Sequence, residues 1–253
     1  MSFLITSSCV RILSVSLLCA TLSSSKLERS ADCIKTGDHY FHLMRYRDAI
    51  AWYKLDSVKA EAHWKIARAY ICYGDYVPKT EKEAAFRSAE KAARRCIQLS
   101  ETNGNGHTWL AAALGNIAMY EGSRSKVKMC TQIKNELSRA LTLNPKDDVA
   151  WSILGSFYRV LGNISWLERE LAVAFIGKIP DGGFSDSEKA LKQAAALDPV
   201  IMRHWYEQGL TYMDWGKKDL AKQAFTKAAA CPILLVSDQE KLNKTKLYLE
   251  KLK

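Results

Sequence analysis

The sequence predicts an all-α chain, a solenoid of about five helical hairpins with insertions on one edge. Three observations predict it. Ala and Leu are abundant, while 253 residues include only 5 Pro and 13 Gly, which favours helices over many short strands and turns. A block of small and large residues recurs along the chain at helical spacing. Asn144-Pro145 and Asp198-Pro199 fall where two of these blocks need a helix to stop. A composition of 48% hydrophobic and 25% charged residues is that of a folded chain and excludes wholesale disorder.

The repeat is clearest at Trp151, Leu154, Gly155 and Tyr158, which share one helix face. Gln208-Gly209-Leu210-Thr211-Tyr212 repeats the pattern, with Ala221, Phe225 and Ala228 following on a second helix. A small residue on helix A lets helix B approach, and the small–large–small set puts one apolar face of B against it. This block resembles the tetratricopeptide repeat, two antiparallel helices in about 34 residues.

Taken in order, the small residue of helix A falls at Gly37, Ala67, Ala111, Gly155 and Gly209. The last small position of helix B falls near Asp56, a poor match, then at Cys96, Ala140, Ala194 and Ala228. Units two, three and four exceed the standard length between these markers by about 10, 10 and 20 residues. All three excesses lie between helix A and helix B, so they should build one shared rim.

Each insertion has its own character. Tyr73–Thr80, with Gly74, Asp75 and Pro78, reads as a turn plus an extra helix. Glu121–Lys128 reads as a basic loop, and Arg124–Lys128 offers a surface for microtubule association. In the third, Ser165 caps a helix with Glu168. Trp166, Leu167, Leu171, Ala174 and Phe175 then form an apolar stripe that ends at Gly177 and Pro180–Gly183. This helix is expected either to pack on the solenoid or to act as a lid or partner-binding element. Lys241–Lys253 reads as the solvated face of a final capping helix, with Leu242, Leu247, Leu249 and Leu252 partly buried.

Residues 1–25 read as a separate leader, with 26–253 forming the repeat domain. The leader holds no acidic residue, eight Ser and an apolar run from Ile12 to Leu22. A secretory signal is the first reading, placing the chain in a secreted or periplasmic setting. An uncleaved anchor over residues 3–22, with Arg11 in mid-span, is the second, and a mitochondrial presequence the third.

The motifs that would indicate an enzyme are missing: no phosphate-binding Gly loop, GxSxG, HExxH or EF-hand loop is present. No cofactor is expected. Five cysteines lie beyond the leader, an odd number without a CxxC pair, which points to packed thiols rather than disulfides or zinc. His39 and His42 stand one helical turn apart with no third ligand, so a metal is not expected. His63 and His107 precede equivalent small positions and read as repeat positions.

The register places Ile34, Asp38, Phe41, Glu61, Trp64, Arg68, Ile71, Thr108 and Ala112 on the concave face. Val149, Ser152, Ser156, Arg159, Arg203, Tyr206, Leu210 and Met213 continue it. The candidate groove is Phe41, Trp64, Arg68, Ser152, Arg159, Arg203 and Tyr206. Arginine among large apolar groups suits an extended peptide with acidic and apolar side chains, so a protein or peptide partner is the first expectation. An amphiphile with an anionic head, such as an anionic phospholipid, is the alternative. The net charge of +10 is scattered over helices without interleaved aromatics, so nucleic acid is not expected.

A longer string of residues narrows the likeness. Tyr120-Glu121-Gly122, Lys126-Val127-Lys128, Leu137-Ser138-Arg139-Ala140-Leu141, Leu143-Asn144-Pro145, Ser165-Trp166-Leu167-Glu168-Arg169 and Phe175–Pro180 occur in order. Together they resemble the regulator of microtubule dynamics family, over roughly Cys33–Leu249. The resemblance implies a helical repeat domain in which Ser165, Trp166, Leu167, Glu168 and Arg169 form a family segment. It also implies links to microtubules, to membrane contacts and to phospholipid, as known for animal members.

Overall fold

The computed structural model describes residues 32–118, 120, 123–175 and 177–253. The leader, and with it the signal, anchor and presequence readings, lies outside them. Among the described residues there are twelve helices and no strand. They are α1 (32–42), α2 (Tyr46–Lys54), α3 (Ala60–Tyr76), α4 (Lys79–Leu99), α5 (Gly104–Ala118) and α6 (Ser123–Leu143). Then come α7 (Asp148–Gly162), α8 (Trp166–Phe175), α9 (Phe184–Leu197), α10 (Met202–Asp214), α11 (Lys218–Ala230) and α12 (Val236–Lys251). The hairpins are α1/α2, α3/α4, α5/α6, α7/α9 and α10/α11, with α8 inserted in the fourth and α12 as a cap. The described residues therefore form an all-α repeat solenoid of five hairpins.

The small positions act as the register requires. A Cβ built on Gly37 would stand 2.4 Å from the Tyr53 ring, one on Gly155 2.4 Å from Leu191, and one on Gly209 2.5 Å from Phe225. In each pair the large residue of helix B fills the space that the missing side chain leaves. Unit two departs from this. Ala67 and Ala93 keep α3 and α4 close, and the large-on-glycine contact moves toward the helix ends, where Phe86 covers Gly74.

A second repeated device locks four of the A helices to the turn before them. His63 meets the carbonyl of Ser57 at 2.9 Å and His107 that of Glu101 at 2.9 Å. Trp151 and Trp205 donate to the carbonyls of Pro145 and Pro199 at 2.9 and 2.8 Å. All four side chains stand four residues before a small position and reach back six. His63 and His107 are thus structural repeat positions. His204, one place off that register, is buried and meets the Asp148 carboxylate at 3.0 Å.

The insertions correct two expectations. Tyr73–Thr80 holds no extra helix: α3 runs on to Tyr76, the chain turns at Val77-Pro78, and α4 begins at Lys79. Pro78 ends the turn because its ring cannot donate to a helix, so the added residues lengthen both helices instead. The basic segment Arg124–Lys128 is not a loop either, since from Ser123 onward it is the start of α6. A loop would leave the carbonyls and N–H groups of these residues to solvent, whereas extending α6 pairs them along the helix. The third insertion does form its helix, α8. Its N-terminus carries the expected reciprocal cap: the Ser165 N–H donates to Glu168 at 2.9 Å and the Glu168 N–H to the Ser165 hydroxyl at 3.3 Å. The Ser165 hydroxyl, donating to the Glu168 carboxylate at 2.7 Å, and then the Ser165 N–H hold that carboxyl below its ordinary range.

The rim is continuous. The Phe86 ring on α4 lies 6.3 Å from that of Tyr120 at the α5–α6 turn. Val127 and Cys130 of α6 share a recess of about 650 Å³ with Leu171, Phe175 and Ile179 around α8. On α8 only Ala172, which lies off the expected stripe, is buried; Trp166, Leu167, Leu171, Ala174 and Phe175 are all exposed, Trp166 and Phe175 at 75% and 73%. At the C-terminus, Leu242, Leu249 and Leu252 are partly buried on α12, but Leu247 is exposed, because the stacked Tyr248 turns the packed face away from it.

Two paired substitutions test the close-approach rule. Gly209→Ala should destabilise by about 1–2 kcal/mol, because the fully buried Phe225 ring cannot retreat from its stack on Tyr248 at 4.9 Å. Gly115→Ala, with nothing within 4 Å of its Cβ, should stabilise by about 0.5–1 kcal/mol through helix propensity alone. Urea unfolding of the two variants checks both signs.

Candidate functional site

The helix A of each hairpin contributes one face to the inside of the superhelix, and these faces enclose a cavity of about 550 Å³. Phe41 enters it from α1, Trp64, Arg68 and Cys72 from α3, and Thr108 and Trp109 from α5. Asp148, Val149 and Ser152 enter from α7, and Met202, Arg203 and His204 from α10. One 3.6-residue stripe per helix is enough to build this wall, since the A helices repeat in orientation.

Of the candidate groove residues, Phe41, Trp64, Arg68, Ser152 and Arg203 line this cavity. Arg159 and Tyr206 do not. The Arg159 guanidinium is held by Asp214 at 2.9 Å and Glu207 at 3.4 Å, both on α10, so it clamps neighbouring hairpins. Tyr206 packs into the second hydrophobic cluster beside Phe225, and burial pushes its hydroxyl up to about 12. Of the other concave positions, Thr108 is buried and donates to Asp147 at 2.6 Å. Asp147 in turn caps α7 by accepting from the Ala150 N–H at 2.9 Å.

The polar floor of the cavity is unusual. Arg68 lies with its guanidinium carbon 3.8 Å from the centre of the Phe41 ring and 5.2 Å from that of Trp64, an arrangement that favours the cation. Asp38 holds it at 3.5 Å. Yet Arg68 Nε, Arg203 Nε, Ser152 Oγ and His204 Nδ1 are buried with no hydrogen-bond partner in the protein. Ser152 and His204 are 0% and 1% exposed. Four such atoms in one cavity wall, three of them on arginine or serine donors, suit a ligand carrying acceptors.

Two carboxyls respond to this wall in opposite ways. Asp38 is raised by burial, but hydrogen bonds from Lys65 and Tyr53 and the charges of Lys65 and Arg68 outweigh that and leave it below its ordinary range. Burial raises Asp75 above that range, against the opposing charges of Arg203, Lys241 and Lys82. The thiol of Cys72, also on the wall, is pushed by burial to about 12 and is therefore inert. The five described cysteines are all free, and among the described residues no group of His, Cys, Asp or Glu is arranged to hold a metal.

A family model described as regulator of microtubule dynamics protein 1-3 matches residues 32–253. The chain belongs to this family. Among its relatives, regulator of microtubule dynamics protein 1 of Bos taurus is 26% identical over 188 residues. That match covers 73% of this chain and 59% of the bovine protein. Regulator of microtubule dynamics protein 2 of Mus musculus is 23% identical over 230 residues, covering 90% of this chain and 56% of the mouse protein. The chain thus spans less than two thirds of the length of these relatives. Among solved structures, a thermophilic TPR protein of Thermus thermophilus superposes with a TM-score of 0.62 at 18% identity. It is covered over 99% of its length and covers 86% of this chain, a likeness of fold.

In this family member the segment Ser165, Trp166, Leu167, Glu168 and Arg169 lies on α8 at the rim, away from the cavity. Arg169 turns inward to donate to the carbonyls of Leu161 and Pro180 at 3.1 and 3.3 Å, which ties α8 to the end of α7 and to the loop before α9. Sequence reasoning missed one wall altogether. Ile233, Leu234, Leu235 and Asp238, from the α11–α12 link and the start of α12, also line the cavity. Their signal was present as Ile233-Leu234-Leu235-Val236, an apolar run after Pro232 that no repeat position explains.

The lowered Asp38 carboxyl sets a pH dependence. A carboxyl with a depressed folded pKa stabilises above its unfolded value of about 3.9 and loses that contribution as pH falls through the folded value. The parent chain should therefore melt higher than Asp38→Asn at pH 7, and the gap should close below about pH 3.9. Thermal melts across that range, followed by circular dichroism, measure it.

Proposed function

We propose that this chain is a non-enzymatic helical-repeat scaffold that binds a protein partner through a peptide segment held in the concave cavity. The observation that carries this reading is the cavity wall itself: aromatic and aliphatic faces surrounding four buried polar atoms without partners. Apolar side chains of an extended peptide would cover Phe41, Trp64, Trp109 and Met202. A carboxylate on the same peptide would accept from the guanidinium of Arg68 or Arg203. The relatives named for microtubule dynamics are longer proteins, and the partner of this chain is described here by its chemistry alone.

The reading separates the three arginines. Arg68→Gln and Arg203→Gln should each weaken binding by about tenfold or more, since each removes a charged hydrogen-bond donor from the cavity. Arg159→Gln should leave affinity unchanged and lower stability, because Glu207 and Asp214 already hold that side chain. Peptides selected from a soluble library on the immobilised chain, then titrated against the three variants, provide the measurement. A library without enrichment of apolar, acid-bearing peptides, or equal affinities for all variants, would overturn the reading.

A further inference from the structure

The chain's own C-terminal segment closes one side of the cavity. After Ala230 the backbone leaves α11 and runs extended, with Cys231 at φ −74°, ψ 150° and Leu235 at φ −130°, ψ 153°. Pro232 sits in this stretch and cannot supply the N–H that a longer α11 would need. Leu235 and Val236 pack against the core of the first four hairpins, although α11 and the rest of α12 belong to the other hydrophobic cluster. The Val236 N–H donates to the Tyr46 hydroxyl at 3.2 Å, joining residues 190 positions apart. Tyr46 is itself 1% exposed, so the bond is made inside the first hairpins rather than on their surface.

Asp238 fixes the bend from strand-like link to helix. It is 4% exposed and accepts the N–H groups of Leu234 and Leu235 at 3.1 and 2.9 Å. Its other oxygen faces Lys241 at 3.5 Å. The result is an extended apolar run followed by a buried carboxylate, lying across the inner face of a repeat solenoid. That is the position and the shape of a peptide ligand in such a groove.

The fit is incomplete in an informative way. Ile233 and Leu234 face the cavity yet stay 36% and 42% exposed. The Asp238 carboxylate is spent on its own helix cap. Ser152 Oγ, Arg68 Nε and Arg203 Nε, on residues lining the same cavity, stay without partners. A resident that satisfied the floor would be permanent, whereas one that covers the mouth and leaves the donors open can be replaced.

We infer that the cavity's partner is a peptide of the same kind as this resident, an extended apolar run followed by an aspartate or glutamate, and that it competes with residues 231–236 for the inner face. The inference rests on the peptide-binding reading above and adds to it the ligand's pattern and a gate. While the segment is seated, the apparent affinity falls by the fraction of molecules that are open. Two contacts hold the gate: the Leu235 side chain against the first four hairpins and the hydrogen bond from the Val236 N–H to the Tyr46 hydroxyl.

The test uses the full chain. Leu235→Asn removes the apolar anchor while placing a favourable residue at the start of α12. Tyr46→Phe removes the hydroxyl and keeps the ring. Val236→Pro deletes the same N–H at a first helical position, where proline is tolerated, and replaces Leu235→Asn should that variant not fold. The probe is a fluorescein-labelled peptide of residues 230–240 carrying Cys231→Ser. Its control also carries Ile233→Ser, Leu234→Ser and Leu235→Ser. Anisotropy reads binding, and amide hydrogen exchange at 233–237 reads opening.

In the Leu235→Asn/Tyr46→Phe double variant, exchange at 233–237 should quicken while the rest of α12 keeps its protection. The probe should bind about tenfold tighter than to the parent chain, and the control should not bind. Unchanged exchange would show that these contacts do not hold the segment. Equal affinity in opened and parent chains, or equal binding of probe and control, would overturn the competition. In each case the cavity reading survives if Arg68→Gln and Arg203→Gln still weaken library peptides in the parent chain, and falls separately if they do not.

Discussion

The close approach of helix A to helix B at a residue without a side chain is the constraint on which the rest of this molecule depends. Gly37, Gly155 and Gly209 each leave room for a large residue of the partner helix, Tyr53, Leu191 and Phe225. Such interdigitation sets the spacing of each hairpin, and the spacing sets how one hairpin stacks on the next. Hydrogen bonds then pin the angle. The Ser187 hydroxyl donates to the Gly155 carbonyl at 2.8 Å and lies 2.9 Å from the Thr211 hydroxyl, so α7, α9 and α10 meet at one buried point. The curvature that results is what turns five A helices toward a common interior.

That interior shows a division of labour among charged side chains. Arg159 and Lys65 are occupied structurally. Lys65 is 7% exposed and pairs with Asp38 and with Glu61. Arg68 and Arg203 line the cavity, and the Nε of each is buried without a hydrogen-bond partner. Leaving a buried donor unmet costs about 1–3 kcal/mol, so a cavity wall that holds several is less stable than it would be with a ligand in place. The same consideration links the wall to the C-terminal segment, which shields the apolar rings from water without meeting the donors.

Much of the fold was legible in particular residues. Gly155 and Gly209 with their followers at helical spacing marked the hairpins, and Asn144-Pro145 and Asp198-Pro199 marked the ends of α6 and α9. Ser165 and Glu168 marked the start of α8. Phe41, Trp64, Arg68, Ser152 and Arg203 were placed on the inner face because a repeating helix keeps its register from one unit to the next. Less legible were the insertions. Tyr73–Tyr76 and Ser123–Lys128 extend existing helices, since hydrogen-bonded continuation of a helix already nucleated is easier than starting another. Composition suggested a turn with an extra helix in the first and a loop in the second, because it carries no information about that choice.

By itself, then, the sequence determined the repeat: its period, its hairpins, its helix stops and the face each A helix turns inward. These follow from short-range spacing, which a linear string contains. Only the tertiary structure decided which inward residues stay available. Arg159 and Tyr206 carry the same register signal as Arg68 and Arg203, but Asp214, Glu207 and Phe225 reach them from other elements. Likewise the apolar run after Pro232 has no periodicity to read, and its seat against Tyr46 lies 190 residues away in the chain. Contacts of that range arise from superhelix curvature, a property of all five hairpins together.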